Sequence, residues 1–220
     1  MNGILNINKP AGWTSHDVVA WVRRVLKIKR VGHAGTLDPL ATGVLLVCVG
    51  QATRVAEYLM ASSKTYRAAA RLGLTTDTYD TDGELVATRP VPELTADDLR
   101  AALAHFTGDI LQTPPAYSAI KQDGVPLHRR VRRGETVQPA PRPVRIQSIE
   151  VLAWQPPDVA LEVVCDPGTY IRSLVHDLGQ TLGCGATMTA LQRTRSGRFH
   201  IADALDLDGL AQAAAHGTIE

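Results

Sequence analysis

Residues 32–43, GHAGTLDPLATG, run directly into the apolar stretch VLLVCV at 44–49, and this junction constrains the fold more than any other segment. Glycines at 32, 35 and 43 permit tight backbone geometry, and Pro39 restricts the residue before it, Asp38. The apolar run reads as a buried strand, so the loop is held between ordered elements. A carboxylate fixed in this way suits a pocket that needs a nucleophile or a base. Turns also use Asp for their own hydrogen bonds, and both readings of Asp38 are open on these residues alone.

The rest of the chain mixes strand and helix signals. Residues 4–8 predict a short strand, followed by a turn at 10–12 and a helix capped by Ser15, with Val18, Val19, Val22, Val25 and Leu26 on one face. Residues 53–60 predict a short helix, and residues 65–72 alternate as a strand. Thr95 and Asp98 have the spacing of a capping box, opening a helix that carries Leu99, Leu103 and Phe106. Further strands are expected near 144–152, 159–165 and 188–193, a helix over about 170–182 stopped by Gly183, and a last helix after Asp206. This interspersion predicts an α/β (α+β) fold with a mixed sheet flanked by helices rather than an all-parallel one. At 220 residues the chain can form one sizeable core or two closely joined lobes. Residues 114–143, rich in Pro and Arg, read as a long excursion from that core.

A formal net charge of +1 conceals segregation. Residues 21–33 carry five Lys or Arg and no acid, and residues 121–145 carry seven bases against Asp123 and Glu135. Residues 74–104 hold seven acids against two arginines, and residues 201–220 hold four acids and neither Lys nor Arg. The basic segments, with the later Arg193, Arg195 and Arg198, suit phosphate contacts, although charge runs also serve simply as solvated faces.

The N-terminus, MNGILNINKP, lacks a basic segment followed by an apolar stretch of signal length, and the longest strongly apolar run spans six residues. No membrane association is expected. Cys48, Cys165 and Cys184 are odd in number and widely spaced, unlike a disulfide framework, and predict buried thiols in a reducing cytoplasm. The seven histidines form no zinc spacing, so no metal is expected. Ser118 and Lys121 share the SxxK spacing of serine acyl enzymes but lack the SDN and KTG companions.

Five ordered segments across roughly residues 4–199 resemble the TruB-type tRNA pseudouridine-55 synthases: NINKPAGWTSHDVV, GHAGTLDPLATGVLLVCVGQATR, KTYRA, QTPPAYSAIKQDG and GTYIRSLVHDLGQTLGCGATMTALQRTRSGRF. The resemblance implies a pseudouridine-synthase catalytic fold with a mixed, mainly antiparallel central sheet and an RNA-contacting thumb over residues 114–143. It implies isomerisation of uridine 55 in the T loop, with Asp38 as the catalytic nucleophile, Tyr66 stacked on the uracil near C5, and Arg172 paired with Asp38. Tyr170 and Leu191 resemble residues that position the nucleotide and wall the base. His33 resembles the histidine that occupies the space left by the extruded base, and Lys9 the lysine that supports the catalytic loop or contacts substrate. Lys121, Arg129, Arg130, Arg132 and Arg133 fall where the thumb would meet the RNA backbone.

The same resemblance implies the T arm of tRNA as partner, no cofactor, and a cytoplasmic monomer. Many bacterial relatives continue into an additional C-terminal RNA-binding module, and no complete one is expected here. The chain departs from the family pattern at His128, where tyrosine is common, at His176, where an acid is common, and at Asp166 and Pro167. Three rivals stand beside this reading: a noncatalytic tRNA-binding or RNA-folding protein, a pseudouridine synthase acting on another RNA, and a general N-glycosidase, which would release free uracil.

Overall fold

The computed structural model describes residues 1–122 and 124–216. The chain divides into two units, Met1–Arg67 with Leu191–Glu220, and Ala68–Ala190. The first unit opens with β1 (Gly3–Lys9), α1 (Ser15–Leu26), β2 (Val31–Ala34) and β3 (Thr42–Val49). A 3₁₀ turn (Gly50–Val55) leads to α2 (Ala56–Met60) and then to β4 (Lys64–Leu72), which runs on into the second unit. From Gly43 to Val49 every residue of β3 is buried, as a continuous apolar run requires. Strand β1 pairs antiparallel along it from Gly3↔Val49 to Lys9↔Gly43. Its other edge is taken by β2, from Val31↔Val49 to Ala34↔Leu46. Residues 35–41 are therefore the tip of a β2–β3 hairpin.

Helix α1 starts one residue earlier than expected. Thr14, not Ser15, is its N-cap: the Thr14 hydroxyl accepts from the Asp17 amide at 3.1 Å, and the Asp17 carboxylate accepts from the Thr14 amide at 2.8 Å. That reciprocal capping box satisfies two end amides at once and leaves Ser15 free for another contact. Val18, Val19 and Val22 bury the predicted face.

The second unit contains the hairpin β5 (Leu74–Thr76) and β6 (Leu85–Thr88), then α3 (Ala96–Ala104), whose Thr95–Asp98 capping box is as predicted. Next come β7 (Gly108–Gln112), β8 (Lys121–Gln122), β9 (Val125–Pro126) and α4 (Leu127–Val131). The unit's long strands β10 (Arg142–Gln155) and β11 (Asp158–Cys165) precede α5 (Ile171–Thr181) and β12 (Ala186–Ser196). Its sheet order is β4–β11–β10–β7. β12 continues into the first unit, where β13 (Phe199–His200) and α6 (Leu207–Ala215) follow.

There β12 lies parallel to β3 through Gln192↔Thr42 and Arg193↔Gly43, whereas the β1/β3, β2/β3, β7/β10, β10/β11 and β12/β13 ladders are antiparallel. The sheet is thus mixed and mainly antiparallel, flanked by helices, as expected. The three cysteines are buried, as expected. Among the described residues no helix is long and apolar enough to cross a membrane.

The excursion over residues 114–143 has its own local order. A β8–β9 hairpin leads into α4, with Leu127 buried as its anchor. The Leu127 amide donates to the Ile120 carbonyl at 2.8 Å, and His128 Nδ1 lies 2.9 Å from the Ser118 carbonyl. His128 therefore ties the insertion to its own base.

Candidate active site

In the first unit the structure holds Asp38 by its neighbours on both sides. The Ser15 hydroxyl accepts from the Leu37 amide at 2.9 Å and lies 3.2 Å from the Leu37 carbonyl. On the other side the Pro39 carbonyl accepts from the Gly12 amide at 2.9 Å and from Lys9 Nζ at 3.2 Å. The Asp38 carbonyl closes the turn by accepting from the Ala41 amide at 3.1 Å. The carboxylate is half-buried on this fixed tip.

Two buried cations form the floor of the hairpin. Lys9 has no exposed surface, and its ammonium donates to the carbonyls of Pro10, Trp13 and Pro39 at 2.9, 2.6 and 3.2 Å. Burial draws its pKa down to about 8, against the raising charges of Asp38 and Asp17. Arg193, 1% exposed, donates from Nε to the Val44 carbonyl at 2.7 Å, and from Nη2 and Nη1 to the Gly35 and Thr36 carbonyls at 3.1 and 3.4 Å. The sequence grouped Arg193 with phosphate-binding arginines, and the structure corrects this. A guanidinium enclosed by three carbonyls satisfies buried acceptors and cannot meet a phosphate. Sequence alone does not separate the two roles, because only the parallel Arg193↔Gly43 register brings this side chain under the loop.

His33 projects from β2 edge-on to His16, ring centroids 5.2 Å apart. Burial, helped by the charges of His16 and Arg193, lowers its pKa to about 4, so the ring is neutral near pH 7. Since the unfolded chain takes up this proton near the ordinary histidine value, His33 favours the folded state above that value. Its contribution falls as pH drops toward about 4. We expect His33→Gln to flatten the loss of stability on acidification, by at most about 1.4 kcal/mol per pH unit in urea titrations at pH 7 and pH 5. An unchanged acid slope would remove His33 as the cause. Tyr66 on β4 is half-buried, and Leu191 on β12 is buried with its carbonyl 3.4 Å from the Thr42 hydroxyl.

The second unit holds Tyr170 and Arg172 at the start of α5. Gln112 fixes Tyr170 by accepting from its amide at 2.8 Å and donating to its carbonyl at 3.0 Å. Arg172, 5% exposed, donates from Nη1 to the Thr78 carbonyl at 2.9 Å and from Nη2 to the Tyr117 carbonyl at 3.0 Å. Asp80, 4% exposed, places Oδ2 3.5 Å from Nη1. Its Oδ1 accepts from the Thr78 hydroxyl at 2.6 Å and from the Asp82 amide at 3.1 Å. Sequence reasoning missed Asp80 as a site residue and counted it only in the acidic segment. The signal available was the dense TDTYDTDG run at 76–83, whose alternating Thr and Asp suit a turn built on side-chain hydrogen bonds.

Lys121, Arg129, Arg132 and Arg133 are exposed on the insertion, whereas Arg130 is engaged by Glu135 at 2.6 Å. Among the described residues no group of three or more His, Cys, Asp or Glu could hold a metal ion.

Residues 23–171 match the profile described as TruB family pseudouridylate synthase (N terminal domain), and residues 172–218 match that of the tRNA pseudouridylate synthase B C-terminal domain. The chain is 49% identical over 210 residues to tRNA pseudouridine synthase B of Opitutus terrae, covering 96% of this chain and 87% of that one. It is 51% identical over 213 residues to the protein of the same name from Microcystis aeruginosa, covering 96% and 72%. Among solved structures it is similar to a chain of a Cbf5-Nop10-Gar1 complex, with TM-score 0.78 and 34% identity over 99% of this chain and 57% of that one. A chain of an H/ACA RNP bound to a substrate RNA containing 2′-deoxyuridine gives TM-score 0.74 at 32% identity, over 99% and 56%. This chain thus spans a little over half the length of those two.

Proposed function

The chain belongs to the TruB family of pseudouridylate synthases, and we propose that it acts on tRNA, isomerising uridine 55 of the T loop, with Asp38 as nucleophile. The observation that carries this reading is the hairpin tip pinned at Leu37 and Pro39, which presents one carboxylate on a rigid support. In the reaction the N1–C1′ bond of the uridine breaks, the uracil turns, and a C5–C1′ bond forms. The C5 proton leaves and N1 takes up a proton, so atoms balance without redox chemistry and without water. Tyr66 and Arg172 are the further reaction residues in this proposal. Lys9 holds the loop, His33 fills the space that the extruded base leaves in the T loop, Leu191 walls the base, and Tyr170 positions the nucleotide.

A stacked base cannot present C1′ and C5 to a protein carboxylate, so the uridine is extruded before it reacts. Lys121, Arg129, Arg132 and Arg133 offer exposed cations for backbone phosphates, and binding is expected to weaken steeply with added salt. Three buried, widely spaced cysteines support a cytoplasmic setting, and we propose that the protein works there as a monomer.

The test is to incubate the purified protein with unmodified tRNA beside unrelated uridine-containing RNAs and to map every pseudouridine formed. Product at position 55 of the tRNA is expected. Modification confined to another RNA would transfer the function to that substrate. Release of free uracil would identify an N-glycosidase, and salt-sensitive binding without product would leave only an RNA-binding protein.

A further inference from the structure

Tyr79 lies between Thr78 and Asp80, both of which meet Arg172, and has a backbone φ of 67°, in the left-handed region that bulky residues rarely adopt. Among the described residues the other non-glycine one in that region is Lys27, a helix C-cap, where such a conformation is routine. Tyr79 has no such excuse of position. The unusual turn brings the Thr78 carbonyl to 2.9 Å and the Asp80 carboxylate to 3.5 Å of the same Arg172 nitrogen. Its backbone is docked on β12, with the Met188 amide donating to the Tyr79 carbonyl at 3.0 Å and the Thr81 amide to the Met188 carbonyl at 3.1 Å.

The Tyr79 ring stacks on His176, with centroids 3.8 Å apart and planes 15° from parallel. His176 lies four residues after Arg172 on α5, hence on the same face one turn along. One helix face therefore grips the 78–80 turn at two points, by a guanidinium and by an imidazole. Burial lowers the His176 pKa, while burial and the charge of Asp177 raise that of the Tyr79 phenol. The two rings are neutral near pH 7 and stack without a charge to desolvate.

We propose that Tyr79 and His176 are positioning residues for the isomerisation, their stack holding the 78–80 turn so that Asp80 and the Thr78 carbonyl aim Arg172. The proposal rests on the reading of Arg172 as a reaction residue.

The test measures single-turnover release of tritium from C5-labelled uridine in unmodified tRNA by the full chain. Tyr79→Gly accepts the same φ without strain but removes the ring, and His176→Ala removes the other ring from a helix that favours alanine. Each is expected to lower the maximal rate roughly five- to tenfold, with the half-saturating tRNA concentration within about twofold of the parent. The double variant should be no slower than the slower single, because both remove one stack. His176→Phe, which keeps an aromatic partner, should recover most of the lost rate.

Parent rates in both single variants, multiplying effects in the double, or a defect in tRNA saturation alone would each overturn the proposal. If His176→Ala fails to fold, Tyr79→Gly and His176→Phe carry the same test. Arg172→Lys separates the premise. Should it react like the parent, the reading of Arg172 fails; should it be inactive while Tyr79→Gly and His176→Ala react normally, only the positioning proposal fails.

Discussion

Asp38→Asn is expected to leave a folded protein that binds tRNA and forms no pseudouridine. The substitution exchanges one carboxylate oxygen for an amide nitrogen at nearly constant volume. The contacts described above that fix the loop run through the backbone at Leu37, Asp38 and Pro39, which the substitution leaves in place. The exposed basic residues of the insertion are untouched. What disappears is the ionised oxygen of the proposed nucleophile, and removal of a covalent nucleophile costs on the order of 10⁴-fold or more in turnover. Quantitative mapping of the uridines after long incubation, beside filter binding and a thermal melt, checks all three parts. Turnover within tenfold of the parent would exclude Asp38 as nucleophile, whatever the binding data.

A second large effect is expected from Gly43→Ala, on folding rather than on chemistry. Gly43 has φ of 97°, and a Cβ built there would lie 2.3 Å from the Arg193 carbonyl oxygen and 2.9 Å from its amide nitrogen. Those atoms belong to the parallel ladder that joins β12 to β3, so no side-chain rotation relieves the clash. The strands must separate at the point where Arg193 enters beneath the Asp38 loop. Backbone strain and lost burial together suggest a cost of roughly 3–5 kcal/mol, a large share of a typical domain's stability. Gly12→Ala is the matched control: φ is also positive, 78°, but nothing lies within 4 Å of the new Cβ, and a cost of about 1 kcal/mol is expected. Chemical denaturation of both variants decides the matter. Equal midpoints would show that the close approach of β3 and β12 carries no special weight.

Local elements were readable because their causes are local. The alternation at Lys64–Leu72, the capping box at Thr95 and the continuous apolar run of β3 each depend on neighbours within a few residues. The N-cap of α1 shows the limit. Thr14 and Ser15 are chemically equivalent candidates, and the choice follows from the Leu37 backbone, 22 residues away, which occupies the Ser15 hydroxyl. Short strands such as β2 and β7 gave weak signals because edge pairing, rather than their own composition, defines them.

The candidate site divides along the same line. Asp38, flanked by glycines and followed by proline, was visible as a fixed carboxylate from its own segment, and the five family segments assigned it chemistry. Arg193, Asp80 and Tyr79 were not visible, because a buried arginine, a buried aspartate and a left-handed tyrosine look in sequence like a surface cation, an acidic run and a stray aromatic. By itself the sequence determined the family and the main helices and strands, and singled out Asp38 as the candidate carboxylate. Only the tertiary structure decided which charges are enclosed, because burial of a guanidinium among carbonyls, or of a carboxylate beside a guanidinium, depends on strand register and helix face between residues distant in the chain.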